Sequence, residues 1–315
     1  MKLVTFKLHG QERVGALERG LVVDLDAARQ LYLSEQAEEA SDLPKPFPNT
    51  MIDFVQLGRD AEKCVFNLVE HVWTLLRSRP RDIERHRVLL NISDVHILPP
   101  IPSPHKIICL GLNYIDHAEE AQVPIPKEPI LFSKPNTAIV GPDDFIVYPK
   151  ISSQVDYEIE LAAIVGKAGK DISELNAFVH VGGYTVFNDI SARDIQFGDK
   201  QWFRGKSFDT FAPTGPCLVF SDQVSDPHHL KMELRVNGEV RQSGTTANMI
   251  FKIPQIIAFV SSVMTLEPGD IIATGTPAGV GFYAKPEKRL LKPGDLMEAE
   301  IEGIGLLRNR IVSAE

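Results

Sequence analysis

The sequence predicts an α+β protein whose last two thirds are built from strands and tight turns, and three observations carry that expectation. Val155-Asp156-Tyr157-Glu158-Ile159-Glu160-Leu161 alternates apolar with acidic residues, the period-two pattern of a half-buried strand. Residues 232–236 alternate in the same way into Asn237-Gly238, with Glu239-Val240-Arg241 beyond, the strongest short-range hairpin signal a sequence carries. Leu266-Glu267-Pro268-Gly269-Asp270 and Leu291-Lys292-Pro293-Gly294-Asp295 spell one turn twice. Pro fixes φ, Gly supplies the positive φ of a type II turn, and each leads into a strand.

In chain order, residues 3–8, 14–17 and 21–25 are short strand-like pieces separated by His9-Gly10-Gln11 and Arg19-Gly20, so a small antiparallel sheet is expected. A helix opens after them with Asp26 as its N-cap. A second spans 59–77, with Val65, Leu68, Val72 and Leu75 at helical spacing and Phe66 and Trp73 packing there. Residues 98–104 hold four prolines and can continue neither a helix nor a central strand. They place a boundary near residue 100: residues 1–100 form a small N-terminal α/β domain with its proline-rich linker, and 101–315 a larger domain. Within the latter, residues 182–187 read as a strand delivering Asn188-Asp189 to a turn, and a short helix follows through Arg193. Residues 254–264, with Pro254 in the first turn, are the one convincing helix of this part.

Composition narrows the class. The 315 residues are 43% hydrophobic and 24% charged, ordinary for a globular chain of this length. A net charge of −9, without any Lys/Arg run, argues against nucleic-acid binding. Cys64, Cys109 and Cys217 are odd in number and scattered, which indicates neither a disulfide framework nor a structural zinc site. No run of 18 apolar residues occurs and the N-terminus has no apolar core of a leader, so no membrane contact and a soluble, cytoplasmic protein are expected.

The acidic run carries the chemistry. Successive carboxylates on one strand face lie about 6.6 Å apart, at about 3.3 Å per residue, and Glu side chains can converge from there. Two like charges about 4 Å apart cost on the order of 4 kcal/mol at an effective dielectric near 20, so an enclosed cluster protonates or holds a cation. All-oxygen ligation suits Mg²⁺, Mn²⁺ or Ca²⁺ rather than zinc. A solvated acidic face on an edge strand is the plainer alternative; Asp189, a further carboxylate at a strand end, favours the site. His117 and Glu120, three apart, share one face of a helix and have the spacing of an acid/base pair. The glycine-rich stretch around Thr276 lacks the spacing of a phosphate loop.

Five motifs, taken together, resemble the fumarylacetoacetate hydrolase superfamily over about residues 105–313: Gly111-Leu112-Asn113-Tyr114-Ile115-Asp116-His117, the acidic strand, Asn188-Asp189-Ile190-Ser191-Ala192-Arg193-Asp194, Gly205-Lys206-Ser207 and Ala273-Thr274-Gly275-Thr276-Pro277-Ala278-Gly279-Val280-Gly281. The resemblance implies a β-sandwich roll, a homodimer, and a Mg²⁺ or Mn²⁺ ion, with Ca²⁺ a substitute in crystals, between enzyme and a small 2-oxo or enol carboxylate. It assigns Glu158, Glu160 and Asp189 as metal ligands and leaves Asp156 beside them. It turns Lys206 toward the substrate, against the alternative of a solvated loop lysine. It makes His117 with Glu120 a base on a lid flanked by residues 122–127, which read as mobile. Tyr114, Arg193, Gln196 and Thr276 become substrate-binding residues, with Arg193 either forking onto a carboxylate or bracing the Asp189 loop.

Several reactions share this design: C–C bond hydrolysis, decarboxylation and keto–enol tautomerisation of an oxaloacetate- or acylpyruvate-type substrate. The spelling of the motifs, with the extra N-terminal domain, is most similar to bacterial members acting on oxaloacetate or related 2-oxo acids. A binding or scaffold protein that keeps the pocket without turnover is the alternative from another class.

Overall fold

The computed structural model describes residues 1–35, 43–198 and 200–314, and everything below concerns these. Two sheets and the helices against them make an α+β architecture. The larger sheet has twelve strands among the described residues. Across it run Leu89–Asn91, Leu21–Asp24, Gln11–Glu18, Lys2–Leu8, Ala212–Phe220, Val181–Asn188, Ile159–Val165, Ile271–Ala273, Ile107–Gly111 and Ile130–Lys134; two short strands pair off this path. The smaller runs Glu239–Thr245, Lys231–Val236, Leu296–Ile301, Gly305–Ser313 and Phe145–Tyr148.

The N-terminal strands are antiparallel as expected, but they do not form a sheet of their own. Lys2 and Leu3 pair with Val219 and Leu218, which continues the central sheet through the first strand. The edge of Lys2–Leu8 is shared: Lys2 and Leu3 meet a strand more than two hundred residues away, and Thr5, Phe6 and Lys7 meet His96–Leu98, pairings no local pattern announces.

The strand Ile159–Val165 shows why the acidic alternation is cut short. It lies between Val181–Asn188 and Ile271–Ala273 and is buried along its whole length. Its Leu161 and Ala163 face a core shared with Leu234, Met297 and Ala299 of the smaller sheet. Ala162 and Ile164 face a second core with Phe54, Val65 and Leu68 from the N-terminal helices. A strand covered on both faces is apolar throughout, so the alternation ends after Glu160. The expected single strand 155–161 is in fact two: Val155–Asp156 pairs with Ser191–Ala192, and the chain breaks at Tyr157-Glu158 before Ile159 pairs with Asn188.

Local signals in the turns hold. Asn237 and Gly238 have φ of 53° and 79°, the double positive φ of a type I′ hairpin turn. In the repeated turn, Gly269 and Gly294 have φ of 87° and 98°. In both copies the Asp carboxylate accepts the backbone N–H three residues back, Asp270 from Glu267 and Asp295 from Lys292, each at 2.8 Å. The helix Ile253–Val263 starts with Pro in its first turn, as expected.

Two expectations near the N-terminus need correction. The helix Leu25–Glu35 is capped by Asp24, whose Oδ1 accepts from Asp26 N at 3.1 Å and Ala27 N at 3.2 Å; Asp26 sits inside the first turn and pairs with Arg13. On the helix Arg59–Ser78 the stripe of Val65, Leu68, Val72 and Leu75 is buried, and Trp73 packs with its Nε1 donating to Glu18 at 2.8 Å. Phe66, however, is 55% exposed, because it falls one position off that stripe. Leu98 ends the short strand His96–Leu98, and residues 99–104 lack regular structure, yet pack down, with Thr5 donating to the Pro100 carbonyl. Cys64, Cys109 and Cys217 are buried and none of them forms a disulfide. No described helix is long and apolar enough to cross a membrane.

Candidate active site

Ends of neighbouring strands in the middle of the larger sheet converge with one loop. Glu158 and Glu160 flank the start of Ile159–Val165, and Asp189 follows the end of its partner Val181–Asn188. The register fixes this meeting: Ile159 pairs with Asn188, the Asn188 side-chain oxygen accepts Glu158 N at 3.0 Å, and Asp189 N donates to the Glu158 carbonyl at 2.9 Å. One carboxylate oxygen from each of Glu158, Glu160 and Asp189 lies within 4.8 Å of the others, and all three residues are buried.

Asp156 stands apart from this group. Its carboxylate accepts backbone N–H groups from Gly281 at 2.8 Å and Phe282 at 2.9 Å and the Arg193 Nε at 2.9 Å. It anchors the chain at residues 281–282 and contributes no oxygen to the triad.

Three buried cations answer the four acids. Lys206 Nζ bridges Glu158 Oε2 at 2.8 Å and Asp189 Oδ2 at 2.6 Å. Lys134, at the end of Ile130–Lys134, reaches Asp189 Oδ1 at 2.5 Å and the Ile190 carbonyl at 3.0 Å. Arg193 donates to Asp156, lies 2.6 Å from Glu158 through Nη2, and gives Nη1 to the Gln196 side-chain oxygen at 3.1 Å. Burial opposes the ionised form of Glu158, but Lys206 and Arg193 hold its carboxyl well below the usual range. Burial likewise opposes charge on Lys206, and Asp189 with Glu158 raise its pKa all the same. At Lys134 burial wins and lowers the pKa.

Glu160 is left with a backbone partner, Gly275 N at 2.8 Å. Burial first, then the charges of Asp189 and Glu158, push its carboxyl well up. Among the described residues no Lys or Arg forms an ion pair with it. Three hard oxygens within 4.8 Å, one of them from an acid without a cationic partner, fit a small divalent ion such as Mg²⁺ or Mn²⁺.

A cavity of about 170 Å³ opens onto this cluster. Glu158, Lys206, His117, Arg193, Gln196, Thr276 and Tyr283 supply its polar lining, and Leu110, Phe132, Phe197 and Trp202 part of its apolar wall. His117 and Glu120 share a face of the helix Ile115–Ala121, with Nδ1 3.6 Å from Oε2. Both Glu120 oxygens also accept Gly279 N at 3.1 Å, which ties this helix to the glycine-rich loop. Gly275 in that loop has φ +95°, and a Cβ there would stand 2.9 Å from the Cβ of Asn113.

The remaining expected substrate contacts fare differently. Tyr114 does not line the cavity: it is fully buried and its hydroxyl donates to Met232 Sδ. Arg193 lines it, but its guanidinium is committed to Asp156, Glu158 and Gln196, so it braces rather than forks onto a ligand. Thr276 lines it too, with its hydroxyl proton given to the Ile159 carbonyl and an oxygen lone pair to Gln242 Nε2, each at 2.8 Å. Gln196 reaches the cavity with its oxygen held by Arg193, which turns the amide N–H₂ outward.

Sequence reasoning missed Lys134, Gln242 and Tyr283. Lys134 ends an unremarkable strand, and nothing local marks it as buried. Gln242 lies on the hairpin strand Glu239–Thr245; it accepts Ile159 N at 2.9 Å and donates to Thr276 and to the Pro277 carbonyl. Its role depends on contact between the two sheets. Tyr283 follows directly on the glycine-rich motif, and that adjacency was the available signal.

A family model described as Fumarylacetoacetate (FAA) hydrolase C-terminal matches residues 106–312. The human protein "Oxaloacetate tautomerase FAHD2A, mitochondrial" is 52% identical over 267 residues, covering 84% of this chain and 80% of that one. Its rat counterpart is 42% identical over 317 residues, 99% of this chain and 92% of that one. Among solved structures, the fumarylacetoacetate hydrolase of Exiguobacterium antarcticum superposes with a TM-score of 0.76 at 37% identity, with full coverage of both chains. The extent of these matches, spanning the acidic triad, Lys206 and the glycine-rich loop, establishes that the chain belongs to the fumarylacetoacetate hydrolase family.

Proposed function

We propose that this chain is a divalent-metal-dependent enzyme that interconverts the keto and enol forms of a small 2-oxo dicarboxylate of the oxaloacetate type. The observation that carries the reading is the placement of Glu158, Lys206 and His117 around one cavity of about 170 Å³, with Glu160 and Asp189 behind Glu158. The names of the human and rat relatives support the choice of reaction.

Glu158, Glu160 and Asp189 would hold the ion, which when bound supplies a Lewis acid at adjacent substrate oxygens. The chain's own groups then move the protons. Keto–enol exchange removes a proton from C3 and places one on the C2 oxygen. His117, oriented by Glu120, is the base for C3, and its 3.6 Å separation from Glu120 is of the loose kind that tightens around a ligand. Lys206 stands on the opposite side of Glu158 from Arg193, where its ammonium stabilises negative charge on the C2 oxygen. Leu110, Phe132, Phe197 and Trp202 line the cavity with apolar surface, which limits the water available to attack the C2 carbonyl and so disfavours hydrolytic C2–C3 cleavage.

The test is an enol-absorbance assay with oxaloacetate and Mn²⁺, repeated with chelator and with Glu160→Gln, while CO₂ and acid products are measured separately. Metal-dependent equilibration without CO₂ or cleavage products, abolished by the substitution, supports the reading. Release of CO₂ as the main event would replace tautomerisation by decarboxylation. Tight ligand binding with no turnover would leave a non-catalytic binding protein.

A further inference from the structure

The polar groups around the cavity are mostly engaged with one another, and that restricts what can hold the far end of a substrate. Glu158 gives one oxygen to Arg193 and the other to Lys206. Arg193 donates through Nε to Asp156 and through Nη1 to Gln196, and its Nη2 lies against Glu158 in an ion pair. The Thr276 hydroxyl is committed in both senses, and Lys206 stands on the triad side. His117 is paired with Glu120 for proton transfer.

Tyr283 is different. It lines the cavity, its ring centroid is 6.1 Å from that of His117, and its hydroxyl has no hydrogen-bond partner among the described residues. Burial together with the nearby carboxylates of Glu158 and Glu120 outweighs the opposing effect of Arg193 and pushes the phenol up, so it stays protonated and can donate.

The residue is also held in place. Asp156 grips the turn from beneath through the backbone N–H groups of Gly281 and Phe282, and Asp156 is itself pinned by Arg193. Gly281 is needed for that approach, since a Cβ there would meet the Arg289 carbonyl oxygen at 2.3 Å and Asp156 Oδ1 at 2.6 Å. Phe282 packs edge-on to the Tyr283 ring at 5.2 Å. One acid thus links Arg193, the neighbour of the triad, to the position of a phenol on the cavity wall.

We propose that the Tyr283 hydroxyl, with the outward amide of Gln196, is the subsite for the far carboxylate of the substrate and selects 2-oxo dicarboxylates over analogues whose far group is neutral. The two donors are of the right kind and number for the two oxygens of one carboxylate. Tyr283 is then a specificity-determining residue, and Asp156 and Arg193 are positioning residues for it. The inference rests on the function proposed above and deepens it.

Steady-state kinetics of the Mn²⁺ enzyme with oxaloacetate and with its 4-methyl ester, for wild type and Tyr283→Phe, tests it. Phe keeps the ring and the packing on Phe282, and a melting curve matching wild type verifies that. The expected result is a KM for oxaloacetate raised about tenfold, the loss of one hydrogen bond to a charged group, with kcat and the KM of the ester unchanged. An unchanged KM for oxaloacetate overturns the proposal, as does an equal rise for both substrates. A fall in kcat at constant KM for both also overturns it, since that marks a proton-transfer role. Turnover of neither substrate by the wild type defeats the functional reading and this subsite with it; turnover with an indifferent Tyr283→Phe defeats the subsite alone.

Discussion

Asp156 and Glu160 belong to one acidic run, yet the structure gives them opposite electrostatic surroundings, and replacing each by its amide separates the two. Asp156 accepts from Gly281 N, Phe282 N, Tyr157 N and Arg193 Nε, all within 3.0 Å, and its partner Arg193 is buried. Asp156→Asn keeps the shape but turns an N–H₂ toward two of those donors and removes the charge opposite the guanidinium. Breaking a buried pair from one side costs about 3–5 kcal/mol. With about 2.1 cal/mol/K of unfolding entropy per residue, a chain of this length loses about 6 °C of Tm for about 4 kcal/mol. Glu160 sits in the reverse situation. Its carboxyl pKa is raised by burial first and by Asp189 and Glu158 next, so its ionised form is disfavoured in the folded, ion-free protein at neutral pH. Gln keeps an oxygen for Gly275 N and removes that penalty. Calorimetry in chelator is therefore expected to show Asp156→Asn melting about 6 °C early and Glu160→Gln melting no earlier than wild type. Added Mn²⁺ then stabilises wild type and fails to stabilise Glu160→Gln. If Asp156→Asn melts within about 1 °C of wild type, or Glu160→Gln is the more damaging of the two without ion, the division of labour drawn here is wrong.

Three further outcomes follow from the same geometry. Lys206→Met is expected to lower kcat by about 10²–10⁴-fold, the usual contribution of a positioned proton-transfer or charge-stabilising group, and to lower the ion-free Tm because Glu158 and Asp189 lose their shared cation; unchanged kcat would remove Lys206 from the reaction. Gln242→Ala leaves Ile159 N without its acceptor and frees the loop at Thr276 and Pro277, which costs about 1–3 kcal/mol in denaturant unfolding; a loss below about 0.5 kcal/mol would show the bridge to be idle. His228 Nε2 accepts Ile253 N at 3.1 Å at the start of the helix Ile253–Val263, and burial, then Lys252, lowers its pKa. A histidine whose folded pKa is depressed resists protonation in the native state, so this stability is present above the unfolded pKa of about 6.5 and lost as pH falls below it. Wild type is expected to lose more Tm than His228→Gln between pH 7.5 and 5.5, and equal losses would refute the assignment.

The parts of this fold legible in the sequence are those whose cause is local. Asn237-Gly238 and the two Pro-Gly-Asp turns take positive φ because of their own residues, and the stripe on Arg59–Ser78 is buried because of its own period. A meeting of acids from the run 156–160 with Asp189 was legible as well, because one acidic run and one strand end suffice to suggest it; that Asp156 stands outside it came from the family resemblance. The join of Lys2–Leu8 to Ala212–Phe220 was not, since it depends on a partner far along the chain. Nor was the two-sided burial of Ile159–Val165, which made an expected half-buried strand into a central one. At the site, the same limit applies: the sequence leaves Arg193 open between clamping a carboxylate and bracing until Asp156 and Gln196 are seen to occupy it, and Tyr114 reads as pocket wall until its hydroxyl is found on Met232. Lys134 and Gln242 owe their importance wholly to tertiary contact.

The proposed chemistry requires a divalent ion at one place. Anomalous diffraction from crystals of this protein soaked in Mn²⁺, recorded at the manganese edge, locates it directly. The expected map has its dominant peak about 2.1 Å from an oxygen of each of Glu158, Glu160 and Asp189, absent in Glu160→Gln. A dominant peak against Asp156, or elsewhere on the chain with the triad still bridged by Lys206, would contradict it.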